Sequence, residues 1–241
     1  TLFVWPEGAF TGFNFDQIKK YRPLFEDAFS ENHLILFGSN TEHVVTNNIK
    51  MFNSLIIVNN KFDIIFQYNK TKLVPFGEFL PFEFFLSKLG LKKITDGYGS
   101  FSKGSSNDIF KLGNSEILPL ICYELIFPKL SQTPSNLIIN ISEDAWFGNT
   151  IGPDQHFAKA IFRAIENNVY LVRSANKGFS AFIDNKGIIK KVLKPKERGV
   201  IELNVPIINN TQKKYKIDLI FFVLLLTCVL TFSILKKNEK K

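Results

Sequence analysis

Cysteine is scarce in this chain of 241 residues, with Cys122 and Cys228 alone representing it. The two stand in unlike surroundings and form no CxxC pair, which argues against a disulfide framework. The three histidines, His33, His43 and His156, show no HExxH or similar spacing. Neither a metal nor another cofactor is therefore expected. Runs of Lys and Arg interleaved with stacking aromatics are also missing, so the net charge of +8 does not read as a nucleic-acid groove. The chain opens on Thr-Leu-Phe-Val-Trp-Pro-Glu, without an initiator Met or a signal peptide. The expectation is a fragment whose upstream part is missing.

Hydrophobic residues make up 45% of the chain, enough for one large α/β domain with a substantial core. Charge is absent from residues 219–235, Leu-Ile-Phe-Phe-Val-Leu-Leu-Leu-Thr-Cys-Val-Leu-Thr-Phe-Ser-Ile-Leu. As a helix this run spans ~25 Å, near the lower limit for a bilayer. The alternative is a buried core helix, but the segment is apolar all round rather than along one stripe. Lysines flank it on both sides, with a slight excess after it. That balance leans toward a cytoplasmic C-terminus, with the preceding domain on the outer side. The expected division is residues 1–212 as catalytic domain and 213–241 as transmembrane helix and basic tail. Cys228 lies within the apolar segment and reads as a small lipid-compatible side chain.

Short apolar runs predict buried strands at 2–5, 33–38, 52–58, 62–68, 117–122, 137–142, 169–174, 180–183 and 188–192. Asn59-Asn60-Lys61 is a hairpin-like turn between two of them. Apolar residues at a 3.6-residue period predict helices over 15–30 and 155–167. Strands, hairpins and helices together argue for mixed sheet covered by helices. The Phe- and Leu-dense stretch 79–93 reads either as a core helix or as an amphipathic arm in a lipid interface. The Gly- and Ser-rich stretch 96–107 reads as a mobile connection.

Three segments leave a reactive side chain at the end of an apolar run. Glu7 follows Trp5-Pro6, where partial burial would raise a carboxylate toward general-base use. Lys70 lies between Tyr68 and the block Leu73-Val74-Pro75-Phe76-Gly77-Glu78, and could place an ammonium where negative charge develops. Cys122 sits in Ile121-Cys122-Tyr123-Glu124, a thiol at a strand end beside an acid. Each has a plain alternative when taken alone: a solvated glutamate, a surface lysine, a buried structural cysteine.

Glu, Lys and Cys in that order, in these contexts, resemble the nitrilase (carbon–nitrogen hydrolase) superfamily. The resemblance narrows through Cys-Tyr-Glu, the Lys-x-x-Leu-Val-Pro-Phe-Gly-Glu block and Ser142-Glu143-Asp144-Ala145-Trp146-Phe147-Gly148. Gly152-Pro153, Gln155-His156, Arg163-Ala164-Ile165-Glu166 and Arg173-Ser174-Ala175-Asn176-Lys177-Gly178 continue it. Together these look like the apolipoprotein N-acyltransferase branch. The resemblance implies an α-β-β-α sandwich, truncated at its N-terminus and followed by a transmembrane helix, at the outer side of a bacterial inner membrane. It implies Glu7 as general base, Lys70 as oxyanion-stabilising lysine and Cys122 as nucleophile, with Glu78, Tyr123 and Glu124 in support. The implied partners are a phospholipid acyl donor, a diacylglyceryl apolipoprotein acceptor and the membrane; a monomer is expected. Glu143 departs from the pattern, which usually has Asn there. The rival readings are an amidase acting on small C–N substrates and a non-catalytic membrane-anchored binding protein.

Overall fold

A computed structural model describes residues 1–45, 48–86, 88, 90, 100–105, 108–208 and 217–238. The chain divides into two compact units, Thr1–Asn210 and Thr211–Lys241. In the first, β1 (Leu2–Val4), helices α1 (Phe15–Lys19) and α2 (Arg22–Ala28), β2 (Leu34–Val45), β3 (Asn48–Asn59) and β4 (Ile64–Asn69) come first. Then follow α3 (Glu83–Leu86), β5 (Phe110–Leu112), β6 (Ser115–Ile121), a 3-10 helix at Cys122–Ile126, α4 (Pro128–Ser131) and β7 (Leu137–Glu143). A second 3-10 turn (Asp144–Phe147), α5 (Gly152–Asn167), β8 (Tyr170–Asn176), β9 (Ser180–Ile183) and β10 (Ile189–Leu193) complete it.

The strands form two sheets. The first runs β1-β2-β3-β4, and the second runs β10-β9-β8-β7-β6-β5. At the centre of the second sheet β6, β7 and β8 are parallel, so their C-terminal ends share one edge. Ligand-binding clefts favour such edges. Cys122 follows the end of β6, and Glu143 closes β7.

Side-chain alternation builds the layers. Leu36, Leu55, Ile57 and Tyr68 of the first sheet meet Ile117, Ile121, Leu137, Ile139 and Ile141 of the second in one buried cluster. Their neighbours point the other way: Ile35, Phe37, Ile56 and Val58 pack under Phe15, Ile18 and Phe25 of α1 and α2. Leu118, Leu120, Ile138 and Leu171 pack under Phe157, Ala160 and Ala164 of α5. The result is the expected α-β-β-α sandwich.

Three details differ from the sequence reading. The single helix expected over 15–30 is two helices, with Pro23 in the first turn of α2. Pro23 has no N–H to donate back into a continuous helix, and its ring would collide with the carbonyl four residues earlier. The strands expected at 33–38 and 52–58 extend into a ribbon of paired residues from Leu34↔Asn59 to Val45↔Asn48. Cys122 belongs to the 3-10 helix rather than to the strand before it.

The second unit contains α6 (Ile217–Asn238). Its described side chains between 220 and 232 are apolar or small hydroxyl and thiol groups, and all are exposed. Among the described residues no helix offers the 18-residue apolar window needed to cross a membrane. Of the stretches at 79–93 and 96–107, residues 87, 89, 91–99, 106 and 107 lie outside the described residues, as do lysines 213, 214, 216, 240 and 241.

Candidate active site

Glu7 is held by a continuation of strand pairing beyond β1. Trp5 N–H donates to Leu36 O at 2.8 Å, and Gly38 N–H donates to Pro6 O at 3.3 Å. A Cβ at residue 38 would lie 2.3 Å from Glu7 O and 2.5 Å from its Cα, so this close backbone approach needs glycine. The carboxylate accepts from Asn53 Nδ2 at 2.7 Å and from Lys70 Nζ at 3.3 Å through Oε1. Its Oε2 accepts the Glu143 backbone N–H at 3.0 Å, joining the first sheet to the end of β7.

Lys70 is 1% exposed. Its backbone N–H donates to Asn53 O at 2.8 Å, and its ammonium lies 2.9 Å from Glu78 Oε1. Burial alone would lower the pKa of the ammonium. The Glu7 and Glu78 carboxylates outweigh burial and raise it above the ordinary lysine value. Glu78 is fixed in turn by Val74 N–H, which donates to its Oε2 at 2.8 Å. Asn53 Nδ2 lies 2.7 Å from Glu78 Oε1 as well, so one amide group separates the two carboxylates.

Cys122 has φ +45°, a left-handed conformation that costs a non-glycine residue energy and marks strained functional turns. Its thiol is pushed up to about 12, first by burial and then by the Glu7 carboxylate, while Lys70 and a hydrogen bond with Ser142 act the other way. Glu124, fully buried, anchors the turn. Its Oε1 accepts from Tyr68 Oη at 2.8 Å, Thr71 N at 2.7 Å, Thr71 Oγ1 at 2.8 Å and Lys72 N at 3.1 Å. Its Oε2 accepts from Ile121 N at 2.9 Å. Burial, with Glu124 beside it, raises the pKa of the Tyr68 phenol well above its usual range. Tyr123 is half-buried, with its ring edge-on to Phe127.

Of the residues singled out from sequence, Glu7, Lys70 and Glu78 share one hydrogen-bonded cluster that is electrostatically coupled to Cys122. Glu124 braces the loop carrying Lys70, and Tyr123 lies beside the nucleophile candidate without a place in that cluster. Sequence reasoning missed Asn53 and a buried group behind Cys122. In that group Asp144 Oδ1 accepts from Ser142 Oγ at 2.7 Å, pairs with His156 Nδ1 at 3.0 Å, and shares its carboxylate with Arg173 at 2.7 Å. Arg173 also donates to Asn140 Oδ1. Burial would raise the Asp144 pKa, but His156 and Arg173 hold it at about 2. Ser142, Asp144, His156 and Arg173 lie inside the motifs that carried the resemblance, yet nothing in their spacing showed what they touch.

Cys122, Asp144 and His156 bring a thiol, a carboxylate and an imidazole within 4.8 Å of one another. Those donors are already committed: Arg173 sits on Asp144, and His156 Nε2 faces Cys122 O at 3.1 Å. Glu143 lies next to Glu7, with Oε2 accepting from Asn176 Nδ2 at 2.8 Å and Oε1 from Ala145 N at 3.1 Å. Burial raises its pKa, and the Glu7 carboxylate adds to the rise.

Comparison with known proteins agrees with this fold. An amidase of the nitrilase superfamily from Nesterenkonia AN1 superposes with a TM-score of 0.57 at 14% identity, covering 81% of this chain and 74% of that one. A Saccharomyces cerevisiae member of branch 10 of that superfamily gives 0.56 at 20% identity, covering 82% and 74%. In sequence the chain is similar to proteins named apolipoprotein N-acyltransferase. The one from Brucella melitensis is 35% identical over 211 residues, and the one from Allorhizobium ampelinum is 42% identical over 155. These alignments take in 85% and 63% of this chain but only 40% and 29% of the relatives' lengths. The carbon–nitrogen hydrolase family profile matches residues 1–213, and the chain belongs to that family.

Proposed function

We propose that this chain carries the catalytic centre of an apolipoprotein N-acyltransferase. The enzyme would move a fatty acyl chain from a phospholipid, through a thioester on Cys122, to the N-terminal amine of an S-diacylglyceryl-cysteine apolipoprotein. The observation that carries the acyl-transfer reading is the buried Lys70 ammonium, held 3.3 Å from Glu7 and electrostatically coupled to Cys122. The acyltransferase relatives support the choice of substrates.

A thiol raised to about 12 supplies almost no thiolate at neutral pH, so its proton must leave as it attacks. Glu7 takes that proton while sulfur bonds to the ester carbonyl carbon. Lys70 and the backbone N–H next to Cys122 stabilise the oxyanion. The C–O bond then breaks, and lysophospholipid leaves with the proton returned from Glu7. In the second half the acceptor amine attacks the thioester carbonyl and Glu7 takes its proton; the C–S bond then breaks as the amide forms, and Glu7 returns the proton to the departing sulfur of Cys122.

Membrane residence belongs to the same proposal. Along α6, Thr227 Oγ1 donates to Leu224 O at 2.7 Å and Thr231 Oγ1 to Thr227 O at 2.9 Å. Such internal bonds satisfy these two hydroxyls without water, which suits a lipid surround. Phe82, Phe84 and Phe85 are 85%, 73% and 71% exposed, and suit an arm that dips into lipid. The catalytic domain would lie outside the bacterial inner membrane, with residues 213–241 as its C-terminal anchor.

The test is mass spectrometry of the intact protein after exposure to phospholipid or to small amides. An acyl adduct on Cys122 from phospholipid, lost in Cys122→Ala, is expected. Acylation by small amides alone would favour the amidase reading, and an adduct that persists in Cys122→Ala would remove Cys122 as nucleophile.

A further inference from the structure

Among the described residues, His156 has no bond to Glu7, Lys70 or Glu78, but a ring nitrogen lies within 4.8 Å of the Cys122 thiol and the ring touches the Cys122 backbone directly. Its Nε2 is 3.1 Å from Cys122 O. A carbonyl oxygen can only accept, so Nε2 carries the proton of this bond. The other ring nitrogen meets Asp144 Oδ1 at 3.0 Å and Arg173 Nη2 at 3.2 Å. The ring is 5% exposed, and Phe147 packs edge-on against it. Asp144 is fixed by Ser142 and Arg173, so the imidazole has little freedom to turn.

Cys122 O belongs to the same peptide unit as Tyr123 N–H. In a planar trans peptide the C=O and N–H point in opposite directions, so fixing the oxygen fixes the aim of the N–H. Tyr123 is the second residue of the 3-10 helix at Cys122–Ile126, and the first N–H groups of a helix have no acceptor within it. Hydrogen bonding at a carbonyl also polarises its peptide and strengthens the N–H as a donor. We infer that His156 is a positioning residue for the oxyanion site: by bonding Cys122 O it aims and polarises the Tyr123 N–H, which with Lys70 receives the charge developing on the substrate carbonyl. The inference rests on the acyl-transfer reading of Cys122. It adds the buried Ser142, Asp144, His156 and Arg173 group to that reaction as the support of one peptide bond.

Two reactions of Cys122 separate this role from plain scaffolding. Acylation passes through an oxyanion. Alkylation by iodoacetamide attacks a saturated carbon and forms none, but still needs an intact, accessible thiol turn. In the intact protein, His156→Leu is expected to slow acylation by roughly 10- to 100-fold while alkylation keeps its wild-type rate. His156→Gln, whose side-chain amide can donate to Cys122 O, is expected to recover a substantial part of the loss. Wild-type acylation in His156→Leu would overturn the inference. An equal fall in both reactions would also overturn it, by making His156 a support of the fold alone. If the wild type takes acyl groups from small amides and not from phospholipid, the substrate reading fails, and the ratio of amide acylation to alkylation still judges His156. If the wild type is acylated by neither, the acyl-transfer reading fails and this inference fails with it.

Discussion

The Glu124 carboxylate accepts the Thr71 backbone N–H at 2.7 Å, tying the turn that presents Cys122 to the loop that presents Lys70. Glu124 is fully buried, and four further donors converge on the same two oxygens. A buried carboxylate is tolerable only when so satisfied. Glu124→Gln places an amide NH₂ against at least one of these donors. The expected loss is about 3 kcal/mol of unfolding free energy, because a buried donor facing the NH₂ loses its acceptor and the others keep a neutral oxygen in place of a charged one. Denaturant unfolding of the intact protein measures it, and a variant as stable as wild type would show that the clamp is dispensable.

Gly38→Ala tests the approach of β2 to Glu7. The new methyl would meet Glu7 O, Cα and C at 2.3, 2.5 and 2.8 Å, all backbone atoms that cannot swing aside. Relief requires moving Glu7 away from Asn53 and Lys70, its partners at 2.7 and 3.3 Å. Acylation of Cys122 is expected to fall by roughly 100-fold, since small misplacements of a catalytic group act strongly on rate. Single-turnover acylation at saturating phospholipid checks this. An unchanged rate would count against Glu7 as the proposed base.

Much of the sandwich was legible because its strands carry alternating apolar side chains: Leu36 faces one layer, and Ile35 and Phe37 face the other. The outer ribbon of β2 and β3 was not, because Thr41, Glu42 and His43 pair with Phe52, Met51 and Lys50 without a continuous buried face. The two-helix break at Pro23 was available from residue type alone and was overridden by the apolar period around it. Glu7, Lys70 and Cys122 could be nominated because each follows an apolar run. Asn53, Asp144, His156 and Arg173 could not be given roles, because their partners are distant in sequence. The contact between Glu143 and Glu7 spans 136 positions, and no local spacing encodes it.

Asp144 gives the fold an acid-sensitive element. Its folded pKa is about 2, below the ordinary 3.8. A depressed carboxylate pKa stabilises the folded state fully above the unfolded value, and the stabilisation drains away as pH falls through the folded one. The contribution is on the order of 2 kcal/mol and should disappear between about pH 4 and pH 2. Asp144→Asn should already lack it at neutral pH and show a flatter stability profile across that window. Urea midpoints of the two proteins from pH 5 to pH 2 make the comparison, and parallel profiles would contradict the assignment.

Glu143 should act in the opposite sense. Its pKa is raised by burial and by Glu7, so the ionised form is the disfavoured one in the folded protein. A carboxyl with a raised folded pKa imposes a penalty that is absent at low pH and grows as pH climbs past the unfolded value. Glu143→Gln removes the charge and keeps an oxygen able to accept from Ala145 N. The variant should match wild type at acid pH and exceed it in stability above the carboxylate range. Thermal unfolding measured from pH 4 to pH 8 tests this. A variant less stable than wild type at pH 8 would show that the bonds Glu143 makes to Asn176 and Ala145 outweigh its burial and its repulsion from Glu7.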